Sequence, residues 1–335
     1  MEEDIKISII VPCYNEEDVL SEFYAAVKDV MENRMKLDEY EVFFVNDGST
    51  DATGTLLRGF HEKDIHVQYL SFSRNFGKES AMYAGLLYTK GDYTVIMDAD
   101  LQHPPEVISD MYREISSGQY DMIATRRKNR KTDTKMRASL SHMFYGFMNR
   151  ISGINMENDA MDFRMFNQKA KNAILSITEY NRFSKGIFEW IGFRTQWLEI
   201  EINDRRAGKS KWSFRGLFAY SLEGCIAFST LPLSLASIMG CLCCFAGFAM
   251  IIAMVVQALA TGVEGSGYAT IVCMILLMGG IQLFCVGILG QYLAKTYLES
   301  KNRPKFLVQE TSKEIVMERR AFSSDGTGQN QSYIR

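Results

Sequence analysis

The chain has 335 residues, a formal net charge of −3 and 23% charged residues, values of an ordinary globular protein of one or two domains. The average conceals an asymmetry: Glu264 is the only Asp, Glu, Lys or Arg between Gly224 and Ala294. Composition excludes a disordered chain, a basic nucleic-acid binder, a small disulfide scaffold and a wholly soluble enzyme.

The N-terminus, MEEDIKIS, is acidic and polar without an apolar core, so no secretory signal peptide is expected and the front of the chain is placed in the cytoplasm. From there to Arg126 apolar strand patterns alternate with helical ones. Strands are predicted over 5–11, 41–45, 67–72, 93–97 and 122–125, and helices over 17–31, 51–62, 79–88 and 105–115. Alternation of this kind gives a mostly parallel sheet with helices on its faces, in which ligands collect at the carboxyl ends of the strands. Polar clusters stand at those ends: Pro12 to Glu16, Asn46 to Ser49, Ser73 to Asn75, and Asp98 to Asp100.

Neither a G-x-G-x-x-G after the first strand nor a G-x-x-x-x-G-K-[ST] occurs, which disfavours a nicotinamide enzyme or a P-loop ATPase. Asp98 and Asp100, at i and i+2 on a strand exit, suit instead a hard divalent cation that can be shared with a diphosphate, and Gln102 can add a carbonyl oxygen. Two acids in a turn are usually only solvated. The apolar strand before this pair and Pro104-Pro105 after it set it apart.

Cations follow the fifth strand at Arg126, Arg127, Lys128, Arg130 and Lys131. Arg137 and Ser141, at i and i+4, share a helix face. The stretch 137–151 spaces Met143, Phe144, Phe147 and Met148 as a helix would, and reads as an interfacial helix over 136–151 or as core packing. A second interfacial helix is expected over 212–230, where aromatics mix with sparse charges.

Two uncharged stretches, about 231–260 and 268–294, are long enough to cross a hydrocarbon core, and the Gly-rich turn between them makes a hairpin. Lys and Arg precede the first and follow the second, while the turn has none, so both ends should face the cytoplasm. Six of the seven cysteines, Cys225, Cys241, Cys243, Cys244, Cys273 and Cys285, lie in or beside this stretch and read as small apolar residues rather than metal ligands. The boundaries expected are a cytoplasmic catalytic domain over 1–211, the interfacial helix 212–230, two membrane helices within 231–298, and a loosely ordered cytoplasmic tail over 299–335.

In order, SIIVPCYNEE, FVNDGSTDAT, SFSRNFGKESAMYAGL and DADLQHPPE resemble the family 2 glycosyltransferases of GT-A fold. The later DFRMFN, RFSKGIFEWIGF and RRAGKSKWSF, followed by two membrane spans, resemble the dolichyl-phosphate-mannose-synthase-like branch, and within it the bacterial bactoprenol (undecaprenyl-phosphate) glucosyltransferases. The resemblance implies a nucleotide-sugar donor lying across Pro12, Tyr14, Asn15, Glu16 and Asp47, with Tyr14 and Asp47 offering uracil a flat neighbour and an N–H acceptor. Lys78 and Asp98 would also contact the donor. Asp98, Asp100 and Gln102 match the residues that hold Mg2+ or Mn2+. Arg126, Arg137 and Ser141 match an acceptor-phosphate site, and Arg205, Arg206, Ser210 and Lys211 match a mobile loop over the diphosphate. Asp162 matches the carboxylate beside the nucleophile, with Arg164 supporting it and Asp159 as fallback.

The implied reaction inverts the anomeric centre and yields a polyprenyl-phospho-sugar for the cell envelope. UDP-glucose is the expected donor, with GDP-mannose, UDP-N-acetylglucosamine and UDP-4-amino-4-deoxyarabinose left open. The alternatives are a processive synthase, for which no Q-x-x-R-W occurs, and a non-catalytic nucleotide-binding partner of a flippase. Expected partners are the donor, the polyprenyl phosphate, the inner membrane and a second copy of the chain, together with a flippase and a downstream glycosyltransferase, and no nucleic acid.

Overall fold

The apolar runs become strands because a strand inside a parallel sheet is covered on both faces, where each fully buried Ile or Phe side chain contributes about 1.5–3 kcal/mol. The structure, a computed structural model, describes residues 6–128, 146, 157, 159–201, 229–261 and 267–312. Its first half runs β1 (Ile7–Cys13), α1 (Leu20–Lys28), β2 (Tyr40–Asn46), α2 (Thr53–Lys63), β3 (Val67–Phe72), α3 (Lys78–Tyr88), β4 (Tyr93–Ile96), α4 (Val107–Ser116) and β5 (Met122–Arg127). All the strands and helices expected here are present. The first helix begins later than expected, at Leu20, and passes after Lys28 into π-helical turns over Asp29–Arg34.

The second half adds β6 (Ala160–Asn167), α5 (Gln168–Ser176), α6 (Ser184–Trp190), β7 (Thr195–Ile200), α7 (Leu231–Thr261), α8 (Tyr268–Ser300) and β8 (Val308–Thr311). Among the described residues the strands form one sheet in the order β7-β5-β6-β4-β1-β2-β3-β8. β4, β1, β2 and β3 are mutually parallel, as are β5 and β7, whereas β6 runs antiparallel between β4 and β5. The sheet is thus the mostly parallel one expected, with one reversed strand in its middle.

Alternate residues of each strand feed two cores. Ile7, Ile9 and Val11 pack with α1, α2 and α4 on one face, and Ile10, Phe43 and Val45 with α3, α5 and α6 on the other. Proline rarely enters a central strand because it has no N–H to give. Pro12 is tolerated in β1 because the pairing with β4 ends at Ile10, two residues earlier. Gly85 lets α3 lie directly on β1, since a Cβ there would stand 2.2 Å from Cγ2 of Ile10.

α7 and α8 lie antiparallel, with the Tyr292 hydroxyl donating to the Ser229 carbonyl at 2.6 Å and Cys285 meeting the Ala236 carbonyl at 3.7 Å. Pro232–Gln257 and Leu277–Ser300, with mean hydropathies of 2.5 and 1.5, are long and apolar enough to cross a membrane, and large side chains such as Leu235, Phe245, Leu283 and Phe284 stand exposed on them. α8 runs to Ser300, beyond the expected 294, and carries Lys295 and Glu299 in its last turns.

After α8 the chain does not pass straight into a loose tail. β8 pairs antiparallel with the edge strand β3, Phe306 stacks on Phe72 at 4.9 Å, and Arg58 meets Glu310 at 2.8 Å. An exposed strand edge offers unpaired N–H and C=O groups, and Val308–Thr311 covers them. The rest of the expected tail, 313–335, both interfacial helices apart from 146, 229 and 230, and most of the hairpin turn lie outside the described residues.

Candidate active site

The loops after β1, β2, β3 and β4 meet at one end of the sheet, the first three tied to one another by side chain to backbone hydrogen bonds and the fourth joined by the Lys78–Asp98 ion pair. The Asn15 amide N–H donates to Ser49 Oγ at 3.0 Å, and Asn15 Oδ1 accepts the Thr50 N–H at 2.9 Å. The Glu16 N–H reaches Thr53 Oγ1 at 3.0 Å. Asn15 stands at φ 55°, in the left-handed region that asparagine tolerates better than most residues. Tyr14 is exposed at this rim, at 37% of its surface.

Asp47 is buried, and its carboxylate accepts the backbone N–H groups of Phe76 (2.6 Å) and Gly77 (2.9 Å). Burial pushes its carboxyl above the usual range, against the pull of those two amides. In this structure it holds the Asn75–Lys78 turn in place rather than pointing into open solvent. Gly48, at φ 65°, allows the same close approach, because a Cβ there would lie 2.3 Å from the Arg74 carbonyl carbon.

Strand β6 brings together two acids far apart in sequence. Ile96 and Arg164 are the last pair of the β4–β6 ladder, so Asp98, two residues beyond the one, and Asp162, two residues before the other, leave the sheet at the same end. Lys78, the first residue of α3, stands between them. Its Nζ lies 2.7 and 2.8 Å from the two oxygens of Asp98 and 2.7 Å from Oδ2 of Asp162. The Asp98 and Asp162 side chains keep 28% and 20% exposure, which leaves the cluster open to a solute. Burial alone would raise the Asp162 carboxyl; the charges of Lys78, Lys185 and Arg164 outweigh it and hold the group well below the usual carboxylate range. The same carboxylates, Asp162 and then Asp98, overcome burial to hold the Lys78 ammonium above the ordinary lysine range.

Arg164 is wholly buried. Its guanidinium donates to Glu189 Oε1 at 2.9 Å and to the Met161 carbonyl at 3.1 Å, and lies over the rings of Phe188 and Trp197. It therefore supports Asp162 from inside the sheet. Asp159, at φ 63°, lies in the turn that leads into β6.

The loop after β4 offers oxygen ligands at alternate positions, Asp98, Asp100 and Gln102, curled by Leu101 at φ 54° and by the Gln102 N–H on Asp100 Oδ1 at 3.2 Å. This donor set fits Mg2+ or Mn2+. His103 follows it, buried against Phe163, and its Nδ1 has no hydrogen-bond partner among the described residues. Burial lowers its basicity, while the charges of Asp98 and Asp100 oppose that shift.

Arg126 lies at the end of β5 with both terminal nitrogens engaged, on Glu157 at 2.7 Å and Glu199 at 2.8 Å. A phosphate can take this guanidinium only in exchange for those carboxylates. Arg137, Ser141, Arg205, Arg206, Ser210 and Lys211 lie outside the described residues.

Sequence reasoning left three residues of the site unassigned. Lys185, on α6, contributes its charge to Asp162 and donates to the Ala160 carbonyl at 3.3 Å. Glu79 accepts the Ser184 backbone N–H at 3.1 Å and its hydroxyl, tying α3 to α6. His103 is the third. The first two stand inside NFGKES and RFSKGIFEW, which offered a signal but no partner.

The family described as Glycosyl transferase family 2 matches residues 8–175. CsbB of Bacillus subtilis strain 168, named as a glycosyltransferase, is 39% identical over 91% of this chain and 92% of its own length. The bactoprenol glucosyl transferase of Shigella phage SfV is 37% identical over 91% of this chain and 98% of its own. Among solved structures, glucosyl-3-phosphoglycerate synthase from Mycobacterium tuberculosis with Mn2+, UDP and glucosyl-3-phosphoglycerate aligns over 66% of this chain and 77% of that one. It is 14% identical, with a TM-score of 0.46.

Proposed function

The chain belongs to glycosyltransferase family 2, and on that premise we propose that it moves a glucosyl residue from UDP-glucose to a polyprenyl phosphate, undecaprenyl phosphate in the first instance, at the cytoplasmic face of the inner membrane. The observation that carries the reading is the extent of the similarity to bactoprenol glucosyl transferases. At 91% of this chain it takes in the apolar hairpin as well as the sheet. Transfer between a water-soluble donor and a lipid acceptor requires both.

The uridine would lie on Tyr14 and the loop Pro12, Asn15 and Glu16, with Asp47 bracing the neighbouring turn. A divalent ion held by Asp98, Asp100 and Gln102 would supply positive charge where the diphosphate departs. The acceptor phosphate oxygen attacks the anomeric carbon as the bond from that carbon to the diphosphate oxygen breaks, so UDP leaves with the electron pair and the centre inverts. Asp162 orients the attack through Lys78 and the strand end rather than by taking a proton. A phosphate monoester, with a second pKa near ~6, is already mostly dianionic at neutral pH. Arg126, Arg137 and Ser141 would receive the acceptor phosphate, Arg126 by exchange with Glu157 and Glu199. Arg205, Arg206, Ser210 and Lys211 would close over the diphosphate.

The test is product mass after incubating the purified full chain with undecaprenyl phosphate and, in turn, UDP-glucose, UDP-N-acetylglucosamine, GDP-mannose and UDP-4-amino-4-deoxyarabinose. A lipid heavier by one hexose from UDP-glucose supports the reading. A product from another donor alone overturns the sugar, and no product from any donor overturns the reaction.

A further inference from the structure

Both oxygens of Asp98 face a single ammonium, that of Lys78, whose third contact is Asp162. A hard divalent cation would use the same Asp98 oxygens at about 2.0–2.6 Å. An ion there stands close enough to the ammonium to be repelled by it, so the two cations compete for the Asp98 carboxylate as it stands. Lysine carries its charge on a flexible four-carbon stem. The turn before it stays fastened to Asp47 through the Phe76 and Gly77 amides, so the adjustment falls to the Lys78 side chain. The helix behind does not need to move, because Glu79 fastens it to Ser184.

We infer that Lys78 is an internal counter-cation that closes the Asp98 metal site until a nucleoside diphosphate arrives, so that divalent cation and nucleotide bind together. The diphosphate offers the ammonium a stronger anionic partner and releases Asp98 to the cation. Lys78 keeps Asp162 as its other partner and is thereby drawn toward the reacting end of the donor. This inference rests on the metal-dependent reading above and assigns Lys78 a positioning role that orders ligand binding.

Mn2+ binding to the full chain in detergent, followed by the electron paramagnetic resonance signal of free Mn2+, tests it without turnover. Wild type should bind Mn2+ at least about tenfold more tightly with saturating UDP than without it, and Lys78→Gln should bind Mn2+ alone at least about tenfold more tightly than wild type. Lys78→Arg, which keeps the charge, should retain the dependence on UDP. A melting temperature and a UDP titration establish that each variant is folded. If Lys78→Gln does not fold, the wild-type comparison still decides. Equal Mn2+ affinity of wild type with and without UDP, or a folded Lys78→Gln no tighter than wild type, overturns the inference and leaves the metal site intact. Absence of Mn2+ binding under every condition removes the metal from the proposed function and this inference with it.

Discussion

Replacing Asp162 with Asn keeps the shape of the side chain and removes its charge, and its kinetic consequence depends on how that charge is held. Burial raises the carboxyl, yet Lys78 at 2.7 Å, with Lys185 and Arg164, depresses it well below the usual range. By linkage, a depressed carboxyl stays ionised above its folded pKa and loses its charge only as pH falls through that value, here far into acid. Accepting a proton from a phosphate of pKa near ~6 would then be uphill by more than about two units, roughly 3 kcal/mol or more. General-base catalysis is a poor use of such a group. Orientation and electrostatic placement are the better use, and misplacing them costs about 10²–10³ in kcat. Single-turnover rates of wild type and Asp162→Asn between pH 5.5 and 8.5 read this directly. The ratio should be large and constant across the range, with UDP affinity retained. A ratio that collapses toward the acid end would make Asp162 the titrating base, and wild-type turnover would remove it from the mechanism.

Other outcomes follow from the same geometry. Gly85→Ala drives a Cβ into Ile10 and should cost about 1–3 kcal/mol, read as a lower melting temperature together with lower turnover, because α3 begins at Lys78. Ile10→Ala should recover part of that loss in the double variant. Arg164→Met leaves Glu189 without its buried partner and should cost about 3 kcal/mol by denaturant unfolding, with partial recovery on adding Glu189→Leu. Lys171, buried under the sheet on the Thr89 carbonyl, has its ammonium brought down to about 8 by burial, against the pull of Glu41. Because the unfolded chain binds that proton more tightly, stability should rise between about pH 8 and 10 in wild type and not in Lys171→Met, as melting temperatures will show. Chelation should abolish turnover, and Mn2+ or Mg2+ should restore it.

Much of the scaffold was legible because the five strands from β1 to β5 are short apolar runs between turn residues, and a parallel sheet needs that pattern on both faces. β6 was also within reach. Met161, Phe163 and Met165 alternate with Asp162 and Arg164, a period of two that fits a strand as well as a motif. What could not be read was its place. The insertion of β6 against β4 is a long-range choice, and it brings Asp162 to the end of the sheet where Lys78 joins it to Asp98. β8 was hidden for a different reason: VQET is polar enough to pass for tail, and its partner is an edge strand that gains from being covered. Side-chain pairing was equally silent. Nothing in the spacing of Asp47 foretold that its oxygens would hold the Phe76 and Gly77 amides, or in Arg126 that two glutamates would meet it.

Whether Asp98 and Asp162 form one reaction centre is best measured by single-turnover glucosyl transfer in Asp98→Asn, Asp162→Asn and the double variant. Residues that act as a unit lose activity non-additively. The rate of the double variant should therefore lie within about tenfold of the slower single variant, far above the product of the two losses. Losses that multiply, so that each carboxylate contributes independently of the other, would contradict a shared centre built on Lys78.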